Sequence, residues 1–359
     1  MFNRIVIKVG TNVLARPDGL LDLTNISHLV DQIAEVKASG IDVVLVSSGA
    51  VGAGRTLLPD EVGANKVVRR QVLSAIGQVR LMEIYRGLFA NHRIFCAQVL
   101  ATKEDFRDRS HYLNMKNCFH ALLRDNIIPI VNENDVISVD ELMFTDNDEL
   151  AGLVSAMINA NALIILSSVD GLLDGPPDDP ASKVIPEVDP DDKQWLDYIL
   201  PSRSSFGRGG MHTKFRIAEK ATKVGIHTFI ANGKRANIIL DILKNDFVGT
   251  RFLAKSAVSN VKKWMAYTEE AGKGAVYINP GAEAALCSAN KVSSLLPVGI
   301  TKVEGDFQKG DLIRIYGDQK QAIGIGIAQY GASTARQYIG KQGKKPLVHY
   351  DYLFVEKGG

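Results

Sequence analysis

Apolar and polar positions along this chain repeat with two periods. Residues 4–9 (RIVIKV) form a short β-branched run that stops at Gly10, and they read as a strand. From Thr24, a candidate N-cap, Leu29, Val30, Ile33 and Val36 recur at helical spacing, which predicts a helix over 24–39 with Gly40 as its C-cap. IDVVLVSS (41–48) is a continuous apolar run, the signature of a strand buried on both faces. The same alternation recurs. Helices around 66–90, 110–125 and 147–160 precede the strands IFCAQVL (94–100), IIPIVN (127–132) and ALIILSS (162–168), and a helix after Lys214 precedes HTFIAN (227–232). Strands alternating with helices predict an α/β domain with an open, mostly parallel sheet sandwiched by helices.

Between 174 and 206 the periodicity dissolves into a Pro- and Asp-rich stretch, expected to be an exposed excursion or a lid near a site. Beyond about 255 the pattern changes again. GAVYIN, LLPVGITKVEG, GDLIRIYG and QAIGIGIAQYG are short runs punctuated by glycine, and only 281–289 and 333–340 look helical. A small β-rich domain is expected there, with the boundary near 250–260.

Composition narrows the class. The chain has 359 residues, 46% hydrophobic and 23% charged, an ordinary globular balance for about two domains. The net charge is +2, and the part from Lys255 onward carries 14 Lys and Arg against 9 Asp and Glu, so charge alone makes no case for nucleic acid. Cys96, Cys118 and Cys287 are odd in number and far apart, fitting neither a disulfide framework nor a zinc pair. No long apolar run suggests a signal peptide or membrane span, so a cytoplasmic protein with no membrane partner is expected.

In an open parallel sheet, ligands bind beyond the carboxyl ends of the strands. Those ends deliver Lys8, Gly10, Thr11 and Asn12; then Ser47, Ser48 and Gly49; then Asn132, Glu133, Asn134 and Asp135; then Ser167, Ser168 and Asp170. Thr145, Asp146, Asn147 and Asp148 open one helix, and Gly209, Gly210, Met211, Thr213 and Lys214 stand before another. Singly, each has an ordinary structural role: a snorkelling lysine, a turn, a helix cap. Together they place two lysines, small donors and clustered Asp and Asn at successive ends of one sheet. GAVGAGRT (49–56) nearly fits a Walker A loop, but Arg55 stands where its lysine should, and arginine is no simple substitute.

IVIKVGTN, VVLVSSGAVGAGR, IVNENDV, FTDNDELA and GRGGMHTK, in this order, resemble the amino acid kinase family over roughly residues 1–253. KKWMAY, INPGAEAAL, SSLLPVGITKVEGDF, GDLIRIY and VHYDYL, within 260–359, look like a PUA domain. The resemblance implies the amino acid kinase fold and ATP-dependent phosphorylation of the γ-carboxylate of L-glutamate, the first step of proline biosynthesis, with Mg²⁺ held mainly by the ATP phosphates. It implies that Lys8 and Lys214 stabilise the transferring group, with Asp146 orienting them. Ser48, Asn132, Asp135, Asn147 and Asp148 would bind glutamate, with Asp135 facing its α-ammonium. Gly10, Ser167, Ser168, Gly209, Gly210, Met211 and Thr213, with the lysines, would hold the nucleotide. The chain departs from the family where Ser167 and Ser168 replace a usual Thr-Asp, and where Asn12 and His212 stand at positions commonly serine.

The resemblance further implies a homo-oligomer, dimer or tetramer, feedback inhibition by proline, and hand-over of the product to glutamate-5-semialdehyde dehydrogenase. Two alternatives stay open: a kinase of the same fold acting on acetylglutamate, aspartate, carbamate or a nucleoside monophosphate, and RNA binding by the PUA-like tail in addition to kinase activity.

Overall fold

In the computed structural model, strand β1 (Arg4–Val9) lies between β2 (Asp42–Ser47) and β5 (Ala162–Ser167), parallel to both. The structure describes residues 2–58, 65–137, 146–176, 179, 181–189, 210–254, 273–288 and 293–355. Beyond β2 come β4 (Ile128–Glu133) and β3 (Cys96–Ala101); beyond β5 come β7 (His227–Asn232), β8 (Gly249–Phe252) and β6 (Glu187–Val188). All neighbours pair in parallel except β7 with β8. This is the expected mostly parallel sheet.

Helices among the described residues up to position 254 are α1 (Thr11–Leu14), α2 (Leu23–Ala38), α3 (Ala50–Arg55), α4 (Lys66–Asn91), α5 (Lys103–Arg107), α6 (Arg109–Arg124), α7 (Asn147–Met157), α8 (Met211–Lys223) and α9 (Ile238–Lys244). Three expected boundaries move. Helix α2 is capped not by Thr24 but by Asp22, whose carboxylate accepts the Asn25 N–H at 3.1 Å; the helix begins at Leu23, so Thr24 already lies inside its first turn. Its C-cap is Ser39, with Gly40 one residue later at φ +85°. Helix α8 starts at Met211, so Lys214 lies inside its first turns rather than before it. Of the stretch 174–206, the described part is tied down: Leu173 bridges Val184, and β6 pairs with β8. The rest of that predicted excursion, 177–178, 180 and 190–206, lies outside the described residues.

The period of two along β1 sorts its side chains. Ile5, Ile7 and Val9 face one way, into a core with Leu29, Val30 and Ile33 of α2, Leu81, Tyr85 and Phe89 of α4, and Ile238 of α9. Each such side chain, fully buried, contributes roughly 1.5–3 kcal/mol. Val6 and Lys8 therefore point to the other face, where α7 packs across β1 and β5 and α8 lies beside α7. Helix α3 crosses α4 at backbone contact. A methyl on Gly77 would overlap the Ala50 carbonyl, and one on Gly54 would overlap the Leu73 carbonyl.

The chain divides into two compact units, Met1–Asp105 with Tyr112–Ala257, and Phe106–His111 with Val258–Gly359. The second has its own sheet, in the order β10 (Ile300–Gly305), β9 (Gly274–Ile278), β11 (Leu312–Tyr316), β12 (Ala322–Ile327), β13 (Leu353–Val355). It carries α10 (Pro280–Cys287) and α11 (Ala332–Tyr338), the two pieces read as helical from sequence. Val276, Ile278, Phe307, Ile313, Ile315 and Val348 fill its core. No helix among the described residues is long and apolar enough to cross a membrane.

Candidate active site

The ends of β1, β2, β4 and β5 lie side by side, because the register pairs Val9 with both Ser47 and Leu166. Lys8 comes from β1 and Lys214 from α8, and both ammonium groups converge on one carboxylate. Asp148 is fully buried, with Oδ1 2.6 Å from Lys8 Nζ and Oδ2 3.0 Å from Lys214 Nζ. Lys214 donates a hydrogen bond, and Lys8 meets Asp148 as a close ion pair. Burial alone would push the Asp148 carboxyl up, but the two ammonium groups outweigh it and hold it down at about 2.

This corrects the expected assignment of the two acids. Asp146 does not bridge the lysines. It is the N-cap of α7, where Oδ1 accepts the N–H groups of Asp148 at 2.8 Å and Glu149 at 3.2 Å. The cap direction sends its side chain to its own helix end, while Asp148, two residues on, points down toward β1. Asp148, expected against glutamate, instead holds the lysines. Among the described residues Asp146 Oδ2 is buried without a hydrogen-bond partner. Burial, then repulsion from Asp148, push the Asp146 carboxyl up to about 6 against the pull of Lys8 and Lys214.

A second polar row runs along the ends of β2 and β4. Asn147 Nδ2 donates to Ser48 Oγ at 2.9 Å and Asn132 Oδ1 at 3.0 Å, joining three of the residues expected to bind glutamate. Asn132 in turn donates to Gln78 Oε1 at 2.8 Å. Asp135, the fourth, is held by Ser74 Oγ at 2.8 Å and Arg70 Nη2 at 2.6 Å. Sequence reasoning missed Arg70, Ser74 and Gln78. Their signal was a spacing of four, which puts polar side chains on one face of an otherwise core-forming helix.

On the other flank, Gly10 leaves a small cradle. A methyl there would lie 3.5 Å from Lys8 Nζ and 3.2 Å from the Leu166 carbonyl. Gly210 is the N-cap of α8 with no side-chain cap, so the first N–H groups of the helix, from Met211 to Thr213, have no partner within it. Such a terminus favours anions. Ser167 ends β5 half-buried, and Ser168 is exposed. Gly209, and Thr145 beside the cap of α7, lie outside the described residues. Asp170 is taken up by its own side of the sheet. Arg235 grips it with Nε and Nη2, each at 2.8 Å, Asn232 adds a bond at 3.0 Å, and the Arg235 bonds lead in holding its carboxyl below the usual range. Gly54 of the near-Walker stretch serves the α3–α4 crossing.

Comparison with known proteins gives the family. The amino acid kinase family matches residues 3–232, and the PUA domain matches residues 274–350. A glutamate 5-kinase of Bacteroides thetaiotaomicron is 52% identical over 358 residues, covering 99% of each chain. One of Chlorobaculum tepidum is 49% identical over 355 residues, covering 99% of this chain and 98% of its own. Among solved structures, carbamate kinase from Giardia lamblia bound to AMP-PNP shares the fold at 17% identity and a TM-score of 0.54, over 70% of this chain and 99% of its own. UMP kinase from Bacillus anthracis does so at 14% and 0.50, over 71% and 97%. A family match over most of the α/β unit, together with half-identity to relatives along their whole length, leads to one conclusion: this chain belongs to the amino acid kinase family.

Proposed function

We propose that the chain transfers the γ-phosphoryl group of ATP to the γ-carboxylate of L-glutamate, giving γ-glutamyl phosphate and ADP. The observation that carries the reading is the convergence of Lys8 and Lys214 on the buried Asp148. A phosphoryl group in flight spreads negative charge over its oxygens, and catalysis is mainly positioning and compensation of that charge. Two cations fixed on one buried carboxylate are set before the substrate arrives, which is what electrostatic preorganisation requires. The relatives named as glutamate 5-kinases support glutamate as the acceptor.

The acceptor needs no general base, since its carboxylate is already ionised at neutral pH. A carboxylate oxygen attacks the γ-phosphorus, the bond to the bridging oxygen breaks, and its electron pair leaves on ADP. Ser48, Asn132 and Asn147 would orient the acceptor, and Asp135 would take the α-ammonium. Gly10, Gly209, Gly210, Met211 and Thr213 would approach the phosphates, with Ser167 and Ser168 lining the nucleotide. Mg²⁺ would neutralise phosphate charge, and Asp146 Oδ2, buried with no hydrogen-bond partner among the described residues, would be a protein oxygen suited to it or its water. On this reading the product starts proline synthesis, and proline, which shares an α-carboxylate and a neighbouring nitrogen with glutamate, would compete at the acceptor side.

The test is ADP release from ATP–Mg²⁺ with and without L-glutamate, for the wild type and Lys8→Ala. Glutamate-dependent release that collapses in the variant is expected. Release that instead depends on aspartate, carbamate, acetylglutamate or UMP would sink the choice of acceptor.

A further inference from the structure

Arg70, Ser74 and Gln78 stand one turn apart on α4, and all three reach the end of β4. Gln78 holds Asn132, Ser74 holds Asp135, and Arg70 touches both Asp135 and, at 3.8 Å, Glu133. Glu133 and Asp135 are 6% and 8% exposed, so a cation beside them has an evident structural use. Neutralisation alone does not account for how Arg70 is used. Both of its contacts go through Nη2. Among the described residues Nε is buried without a hydrogen-bond partner, and Nη1 has none either. Elsewhere in the same molecule an arginine with a structural partner spends its fork on it: Arg235 closes on Asp170 with two nitrogens on two oxygens. A guanidinium that is held in place yet keeps most of its donors unspent is set up for a carboxylate still to come.

We infer that Arg70 is the receptor for the α-carboxylate of the acceptor and makes the site selective for a free α-amino acid; this rests on the glutamate reading above. The Asp135–Arg70 pair offers a negative and a positive group in direct contact. An α-amino acid presents an ammonium and a carboxylate on a single carbon. Laid against each other in opposite sense, the two pairs match: ammonium on Asp135, carboxylate on Arg70. Among the described residues each Asp135 oxygen accepts one side-chain hydrogen bond and keeps capacity for another. A site built to bond a polar group rejects an analogue that lacks it, because its own buried donors are then left unpaired.

The experiment compares L-glutamate with its α-carboxamide, which keeps the ammonium and the γ-carboxylate but carries no α-carboxylate. The kcat/KM ratio of the two substrates is measured for the wild type, Arg70→Gln and Arg70→Lys. The expected result is a strong wild-type preference for glutamate. In Arg70→Gln it collapses through a KM for glutamate raised about 10- to 100-fold, the range that losing charge-assisted hydrogen bonds produces, with the amide little affected. Arg70→Lys, which keeps a charge without the fork, should fall between and stands in if the glutamine variant does not fold. An unchanged ratio in the variants, or an equal fall for both substrates, would overturn the assignment and leave Arg70 a structural cation. A wild type with no glutamate-dependent ADP release would overturn the acceptor reading, and this assignment with it.

Discussion

Replacing Asp146 with Asn should stabilise the protein at neutral pH while damaging the reaction. Asn is as good an N-cap as Asp, so the bonds from the Asp148 and Glu149 N–H groups survive. What disappears is a charge that the fold holds at a cost. A carboxyl moved from 3.8 to about 6 by burial and by Asp148 is ionised at neutral pH at an expense of about 3 kcal/mol relative to the unfolded chain. The direction with pH follows from proton counting. Between about pH 4 and about pH 6 the native state keeps a proton that the unfolded state has lost, so stability falls as pH rises through that window and is flat above it. Urea unfolding of both proteins from about pH 4 to about pH 7.5, in the absence of nucleotide and Mg²⁺, reads this out. The gain from Asp146→Asn should grow from near zero at the acid end to about 2–3 kcal/mol at the neutral end. A gain that does not vary with pH, or a variant less stable than the wild type at neutral pH, would show that the fold holds no costly charge at Asp146. The same variant should lose kcat, a trade of stability against activity expected where a charge is kept for function.

Lys214→Met leaves Asp148 buried with one cation instead of two, and should cost about 3–5 kcal/mol in unfolding measurements and about 10²–10³-fold in kcat. Methionine keeps most of the side-chain volume, so the loss reports the charge. Gly10→Ala places a methyl beside Lys8 Nζ and should raise the KM for ATP more than that for glutamate in steady-state assays. Gly77→Ala forces α4 away from the Ala50 carbonyl and should cost about 1–3 kcal/mol or more by thermal unfolding.

The alternation of strands and helices made the parallel sheet legible, and with it the end at which ligands gather. Lys8 was legible because a charge inside an apolar strand has to be accounted for. The division of labour between Asp146 and Asp148 was not. Both stand in one acidic run, and only the point where α7 begins decides which becomes the cap and which turns inward. The start of α8 was misplaced for a related reason: Gly210 caps it without any side-chain signal. Arg70, Ser74 and Gln78 were invisible as a group because their common partners come from β4 and the turn after it, more than fifty residues away in sequence. The glycines of 49–56 imitated a phosphate loop while Gly54 served close helix packing.

That packing has a consequence for how the site behaves. With backbone resting on backbone at Gly54 and Gly77, α3 and α4 have no side-chain layer between them to yield. Ser48 and Gly49 lead into one helix, and Arg70, Ser74 and Gln78 ride on the other. The proposed acceptor side thus has two of its helices welded together, whereas the two lysines proposed to face the phosphate arrive on separate elements, β1 and α8. On the proposed reading, phosphate grip can be retuned by shifting α8 against α7, whereas acceptor recognition on α3 and α4 changes only by exchanging side chains on a frame that does not bend.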